Sequence, residues 1–339
     1  MSALESVAGG VPFDGTLSRP ELDPRGFVTA DELRQLSTIA PWSIVTKTVT
    51  TWALVASALW AWAATRNVLV FAAAFVVISA CQHAFFLLAH EGAHYSVARR
   101  RSLNDLISDV FFAGPIFYTT ARYREGHLPH HTHLGDHALD LERRTWVLIR
   151  GKHFLRLLVV AFSGWGALRA IIGLTPEKVG ARESPVRYVV AVGGVNGAML
   201  AYCWLLGAPL AYFALWLLPL FTLTYLLLIV RTVAEHQPLS YARRDTGDDG
   251  LDLVPVLTRT FATSWIERFV FAPVGAHHHE HHLLPGVPFA QLPRLHALLA
   301  ARGYYAAQPE CVETSYWSLL KRLILLPGDA EPRTSGSSI

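Results

Sequence analysis

The sequence predicts an all-α integral membrane protein: four transmembrane helices in two hairpins, carrying a cytoplasmic helical cap. Three observations carry that expectation. Hydrophobic residues make up 52% of the chain and charged residues only 16%, against roughly 25% charged in a soluble domain, and mean hydropathy is +0.31. Four apolar runs, at 48–65, 68–88, 188–206 and 209–229, approach the ~20 residues that a helix needs to cross a bilayer core. Arginine clusters such as Arg99-Arg100-Arg101 and Arg143-Arg144 lie outside the run pairs, and the tight connections carry almost none.

Residues 1–40 are polar and broken by Gly9-Gly10, Pro20 and Pro24. A short surface helix is expected from about Ala30, where Thr29 and Glu32 form a T-x-x-E capping box. The first two runs are separated only by Ala64-Thr65-Arg66-Asn67, the last two by Gly207-Ala208, so each pair reads as an antiparallel hairpin. Trp52, Trp60, Trp62, Trp204 and Trp216 lie on these runs, with some expected at the lipid interface. The positive-inside bias places 1–47, 90–187 and 231–339 in the cytoplasm. Stretches 105–118, interrupted by Gly114-Pro115, and 154–174, interrupted by Arg156 and Arg169, read as interfacial or half-inserted helices. The expected organisation is a cytoplasmic segment 1–40, a membrane domain 41–303 and a cytoplasmic tail 304–339, disordered from about 327.

Composition also limits function. A net charge of +3 gives no reason for a nucleic-acid partner. Three cysteines make no disulfide framework, and Cys81 and Cys203 fall within apolar runs. The N-terminus lacks a signal-peptide pattern. Strong Arg-over-Lys usage points to a GC-rich bacterial source, and hence to the inner membrane.

Ten of the 16 histidines fall in three bursts: His90-Glu91-Gly92-Ala93-His94, His127-Leu128-Pro129-His130-His131 and His277-His278-His279-Glu280-His281-His282. All three fall on the expected cytoplasmic side. Crowded imidazoles imply a bound transition metal. His90 and His94 share a helix face at i, i+4. His127, His130 and His131 form H-x-x-H-H, with Pro129 tolerable only in a first turn, so that helix should start near Gly126. His278, His281 and His282 repeat the pattern, whereas His277 and His279 have no partners at that spacing. Eight imidazoles exceed the four ligands of one tetrahedral zinc, which indicates a histidine-rich di-metal site. Nitrogen ligands with open positions suit iron and dioxygen. His236, closing the fourth run, is a ninth candidate. His83, two turns before His90, reads as a core or supporting residue, and His133, His137, His153 and His296 as solvated or supporting. Metal-bound histidines pass their other N–H to a carboxylate or carbonyl; Glu91, Asp136, Asp140, Glu235 and Glu280 are placed for this, Asp140 and Glu235 foremost. Alone, His90-Glu91-x-x-His94 also fits a zinc intramembrane protease with Glu91 as general base, although the other bursts then have no use. A non-enzymatic metal-binding membrane protein is a third class.

Assembled in this order, the three boxes resemble those of the membrane fatty acid desaturase/hydroxylase superfamily. The strongest likeness is His278-His279-Glu280-His281-His282-Leu283-Leu284-Pro285-Gly286-Val287-Pro288, followed by Leu292-Pro293 and His296 and preceded by Thr258-Arg259-Thr260, which is similar to the acyl-lipid branch. The likeness covers roughly 45–303. It implies two iron ions (Fe2+/Fe3+), a lone ligand on the fourth span supplied by His236, dioxygen as co-substrate, and two electrons per turnover. Two departures stand out: Ala276 replaces a common Asn, and the third box opens on His278 and not the Gln of front-end desaturases. With no fused electron-transfer domain visible, a separate ferredoxin or cytochrome b5 type donor is implied. The expected activity is desaturation of a fatty acyl chain. Hydroxylation or ketone formation on lipids, carotenoids or alkanes uses the same boxes, and a carrier-bound or amino-acid-like substrate stays open.

Overall fold

The computed structural model describes residues 24–136, 139, 140, 142, 151–173, 185–236 and 254–325. These residues are mostly helical. Three helices are long and apolar enough to cross a bilayer: the one ending at Thr65, Val68–Ala93 and Tyr212–His236; Val189–Leu205 is apolar but shorter.

Helix α1 (Ala30–Leu36) begins with the expected capping box, the Thr29 side chain accepting from the Glu32 N–H while Glu32 accepts from Thr29. Helix α2 (Pro41–Thr65) starts at a proline, which fits a first turn because its missing N–H would have no helical partner there. It therefore begins seven residues before the apolar run. It closes on Arg66 in the left-handed region, φ 50. The Asn67 side chain then caps α3 (Val68–Ala93) by accepting from the Leu69 and Val70 N–H groups. Across the molecule the Arg66 guanidinium donates to the Gly207 carbonyl, 2.8 Å away. The two tight connections thus adjoin at one end, and the C-terminal ends of α3 and of Tyr212–His236 point to the other.

The second pair is less regular. A π turn (Val189–Gly193) leads into α8 (Gly194–Leu205), and the return helix carries π turns Tyr212–Leu217 and Leu220–Thr224 before α9 (Tyr225–His236). Polar groups at this depth must pair within the protein. Gln82 donates to the Trp216 carbonyl and accepts from Thr224, both at 2.7 Å, tying α3 to the return helix. Asn196 donates to the Gly114 carbonyl at 2.9 Å and accepts from Tyr212 and Trp216. Around them, Phe85, Leu88, Phe112, Leu215 and Trp216 form a fully buried core.

Both interrupted stretches are broken helices. The first comprises α4 (Arg101–Ser108), a π turn and a 3-10 turn ending at Phe117, φ 63. The second divides into α6 (Gly151–Phe162) and α7 (Trp165–Gly173) at Gly164, φ 80. Helix α5 runs Thr120–Thr132, which corrects the expected start near Gly126. Thr119 caps it by accepting from the Arg122 N–H, and the Thr120 N–H donates to Asp109 at 2.7 Å. Anchored there, the helix carries Pro129 in its last turn, where one backbone hydrogen bond is lost but nothing longer is disrupted.

The cap continues through α10 (Trp265–Val270), α11 (His278–Leu283) and α12 (Leu292–Ala301). Strands β1 (Thr260–Phe261) and β2 (Val312–Glu313) pair in parallel, a small exception to the all-α expectation. Packing does not break at 303. Tyr304 and Tyr316 are fully buried, Tyr316 stacks on Phe261 at 3.9 Å, and α13 (Tyr316–Leu325) closes the second apolar cluster. Residues expected to be disordered, from 327, lie outside the described residues.

Candidate metal centre

Four elements bring the histidine bursts together. The end of α3 supplies His90 and His94, α5 supplies His127, His130 and His131, α9 ends on His236, and α11 supplies His278, His281 and His282. Helix α11 is held in register by backbone hydrogen bonds to the preceding strand, Phe261 N–H to Ala276 carbonyl and His279 N–H to Arg259 carbonyl, each 3.0 Å.

The rings fall into two groups. His90, His94, His127, His131 and His281 form one, and His130, His236 and His282 the other; within each, one nitrogen from every ring lies within 4.8 Å of all the others. His278 joins the second group, its Nε2 being 2.7 Å from that of His236 and 3.1 Å from that of His282. The groups meet where His131 stacks on His282, ring centroids 4.3 Å apart. All nine expected site histidines therefore converge on one region.

Three of the outward nitrogens are held. His127 Nδ1 is 2.7 Å from Glu142, His130 Nδ1 is 2.9 Å from Asp140, and His236 Nδ1 is 3.2 Å from the Leu257 carbonyl. Each ring that donates from Nδ1 leaves its Nε2 lone pair turned inward. There His131 Nε2 is 2.9 Å from His127 Nε2 and 3.1 Å from His281 Nε2, while the buried Nε2 atoms of His90, His94 and His130 have no hydrogen-bond partner among the described residues. Two nitrogens about 2.1 Å from one cation at a right angle would be about 3 Å apart. Facing lone pairs at that separation, with buried nitrogens lacking partners, fit metal ions and no hydrogen-bonded alternative of equal completeness.

Electrostatics agree with this reading. Burial pushes His94 down to about 3, helped by His127 and Arg124. Burial, followed by neighbouring histidines, holds His131, His278, His281 and His282 below the ordinary imidazole value. Such rings stay neutral, as ligands must. For His130 burial opposes the charge, but Glu142 and Asp140 hold its pKa above the ordinary value. For Glu142 burial likewise opposes, yet His130 and His127 bring it down to about 2.

The carboxylates divide. Asp140 and Glu235 face the histidines: Glu235 is 3.5 Å from His278 Nδ1 and accepts from Arg231 at 2.9 Å and Tyr316 at 2.8 Å. Glu91 is 3.5 Å from His90 Nδ1 but gives its other oxygen to the Phe289 N–H at 3.0 Å. Glu280 departs from expectation. It turns away from the two groups to His296, 2.5 Å, to Tyr305 and to His277, because these lie on the other side of α11 from the rings at 278, 281 and 282. His296 is thus paired with Glu280, and His277 and His279 lie outside both groups, His279 being held by Thr258 and Tyr304. Asp136 is exposed and accepts from the Leu139 N–H. His83 is fully buried with Nδ1 3.1 Å from the Val270 carbonyl, outside both groups, as a core residue should be. His133 and His153 are exposed, and His137 lies outside the described residues. Sequence reasoning missed Glu142, because an acid eleven residues beyond the second box has no periodic relation to it.

The model of the fatty acid desaturase family matches residues 66–313, most of the chain and all three boxes. The chain belongs to the fatty acid desaturase family. Two curated desaturases are similar to it. Dihydrorhizobitoxine desaturase of Bradyrhizobium elkanii is 23% identical over 242 residues, 65% of this chain and 65% of that protein. The sn-1 oleoyl-lipid 12-desaturase of Anabaena variabilis is 34% identical over 85 residues, 25% of this chain and 21% of its own. The chain thus spans less than two thirds of the curated relatives it matches. Its three histidine boxes, its apolar helices and its histidine groups able to hold metal ions fit that family.

Proposed function

We propose that the nine histidines hold two iron ions and that the protein is a fatty acyl, or acyl-lipid, desaturase. The observation that supports this best is the pair of imidazole groups meeting at His131 and His282 beside a chamber of about 80 Å³. The overall reaction takes one CH2–CH2 unit, one dioxygen, two electrons and two protons to one CH=CH unit and two waters. Bound iron would supply the oxidant that such an unactivated methylene requires. The protein's own residues orient and enclose. Glu142, Asp140 and the Leu257 carbonyl fix ring orientation, and Arg231 with Tyr316 holds Glu235 beside His278. The chamber has room for a few waters at most, so a substrate methylene entering it displaces solvent. On this reading the four apolar runs are two membrane hairpins, the metal centre faces the cytoplasm of a bacterial inner membrane, and a separate ferredoxin or cytochrome b5 type protein donates electrons.

A zinc protease built on His90, Glu91 and His94 fits less well. His90 and His94 share their group with three more imidazoles, beyond the three ligands and water of catalytic zinc, and a Glu91 oxygen is taken by a backbone N–H. Hydroxylation at the same centre is the nearer alternative.

The deciding experiment is expression with a reductase and donor under labelled dioxygen, with profiling of lipids, carrier-bound acids and amino-acid-like metabolites. A new double bond free of label, absent from a His281→Ala control, supports desaturation; label on carbon means hydroxylation. Purified protein holding a single zinc and no iron would defeat both.

A further inference from the structure

Beside the metal chamber lies a second, more open cleft of about 500 Å³. Its floor is the first turns of α2, with Trp42, Thr46 and Lys47, and Arg268 of α10 stands over it. Val274 and Phe289 line both this cleft and the histidine chamber, so a single layer of side chains separates the two there. Phe289 is fixed from behind, since its N–H donates to Glu91 between the first-box histidines.

Two features of the cleft point to a ligand. It presents two cations and no acid: Lys47 is half-buried, Arg268 is exposed, and among the described residues neither forms an ion pair with a carboxylate. Its lining includes Trp42, 79% exposed, and Trp265, three residues before Arg268 on α10, is exposed to the same degree; exposed tryptophans of this kind are typical of a membrane–water boundary. A charged head would stay at that boundary while an apolar chain is drawn inward.

We propose that this cleft is the head-group subsite for an amphiphile bearing an oxyanion, a carboxylate or a phosphate. Lys47 and Arg268 hold the anion, and the hydrocarbon chain passes between Val274 and Phe289 towards the histidines. Charge-assisted contacts of this kind favour a fixed register, so the subsite determines which carbon reaches the chamber. The inference rests on the oxidase reading only for what happens to the chain once bound.

Binding tests it without turnover. Metal-loaded protein in phosphatidylcholine nanodiscs is titrated with cis-parinaric acid and with its methyl ester, which share a chain and differ in charge. The acid should bind saturably and about tenfold more tightly than the ester, as one or two charge-assisted contacts imply. Lys47→Gln with Arg268→Gln should bring the acid to the ester's affinity and leave the ester unchanged, and Lys47→Arg alone should retain the preference. Retained iron content and circular dichroism establish that the double variant is folded. Competition by oleate or by lysophosphatidate supports the subsite and identifies its anion; displacement by neither overturns it. Equal affinity for acid and ester in the unaltered protein, or non-saturable partition typical of mere attraction to a charged bilayer, overturns it as well. Should no double bond ever form, the acid–ester preference still stands or falls by itself; should product form with no preference, only this subsite is lost.

Discussion

Glu142 Oε1 lies 2.7 Å from His127 Nδ1, while its other oxygen is 3.9 Å from His130 Nε2. One carboxylate thus touches a ring of each imidazole group and helps to set both. Supporting carboxylates typically contribute 10–100-fold to metal affinity or activity. Glu142→Gln should therefore lower metal retention during dialysis against a chelator by a factor in that range, with the fold intact. Full retention of the bound metal would show that the contact is incidental.

Gly92 separates the two first-box positions, and a methyl group there would meet Ser108 Oγ at 2.1 Å and its Cβ at 2.6 Å. Helix α4 cannot yield easily, because Asn104 donates to the Gly92 carbonyl at 2.8 Å. Gly92→Ala should cost about 1–3 kcal/mol, the usual range for overpacking, and displace His90 and His94. Adding Ser108→Gly removes the clashing atoms and should restore part of both stability and activity. A single variant as stable as the parent in thermal unfolding would contradict the packing.

Tyr316 donates to Glu235 at 2.8 Å from a helix near the C-terminal end of the chain. Its loss leaves a buried carboxylate with one partner fewer. Tyr316→Phe should destabilise by about 1–3 kcal/mol and weaken the second imidazole group more than the first. Metal titration with a spectroscopic reading of each site checks this; equal weakening would place the effect on the fold as a whole.

Acid should destabilise the metal-free protein well above the carboxylate range. Burial lowers His279 to about 4 and His94 to about 3, and lowers His131, His278, His281 and His282 as well. The unfolded chain then takes up protons first, near pH 6.5, so stability is complete above that value and declines as pH falls towards 4 and 3. The midpoint of thermal unfolding should drop between pH 7.5 and 5. A flat profile across that interval would mean the rings are not buried as described.

The boxes, the apolar runs and the short connections were legible because each is a local pattern. Spacing at i, i+3 and i+4 sets which histidines share a helix face, and run length sets what can cross a bilayer. Helix ends were less legible: α2 begins at Pro41 and α5 at Thr120, since a first-turn proline in one and the Thr119 cap with the contact to Asp109 in the other override the hydrophobic period. Family membership also followed from local order, as three boxes in sequence are a one-dimensional signal.

What the sequence alone determined was the inventory, with nine histidines on helices able to meet and the acids Asp140 and Glu235 in reach. The division of those histidines into groups of five and four came only from tertiary structure, as did the turn of Glu280 away towards His296 and Tyr305, the arrival of Glu142, and the burial of Tyr304 and Tyr316 beyond the expected domain edge. The physical reason is range. Helical periodicity fixes which side chains share a face, whereas which faces meet depends on how four separate elements pack, and that choice is made by the burial of apolar surface and the pairing of buried polar groups across the whole chain.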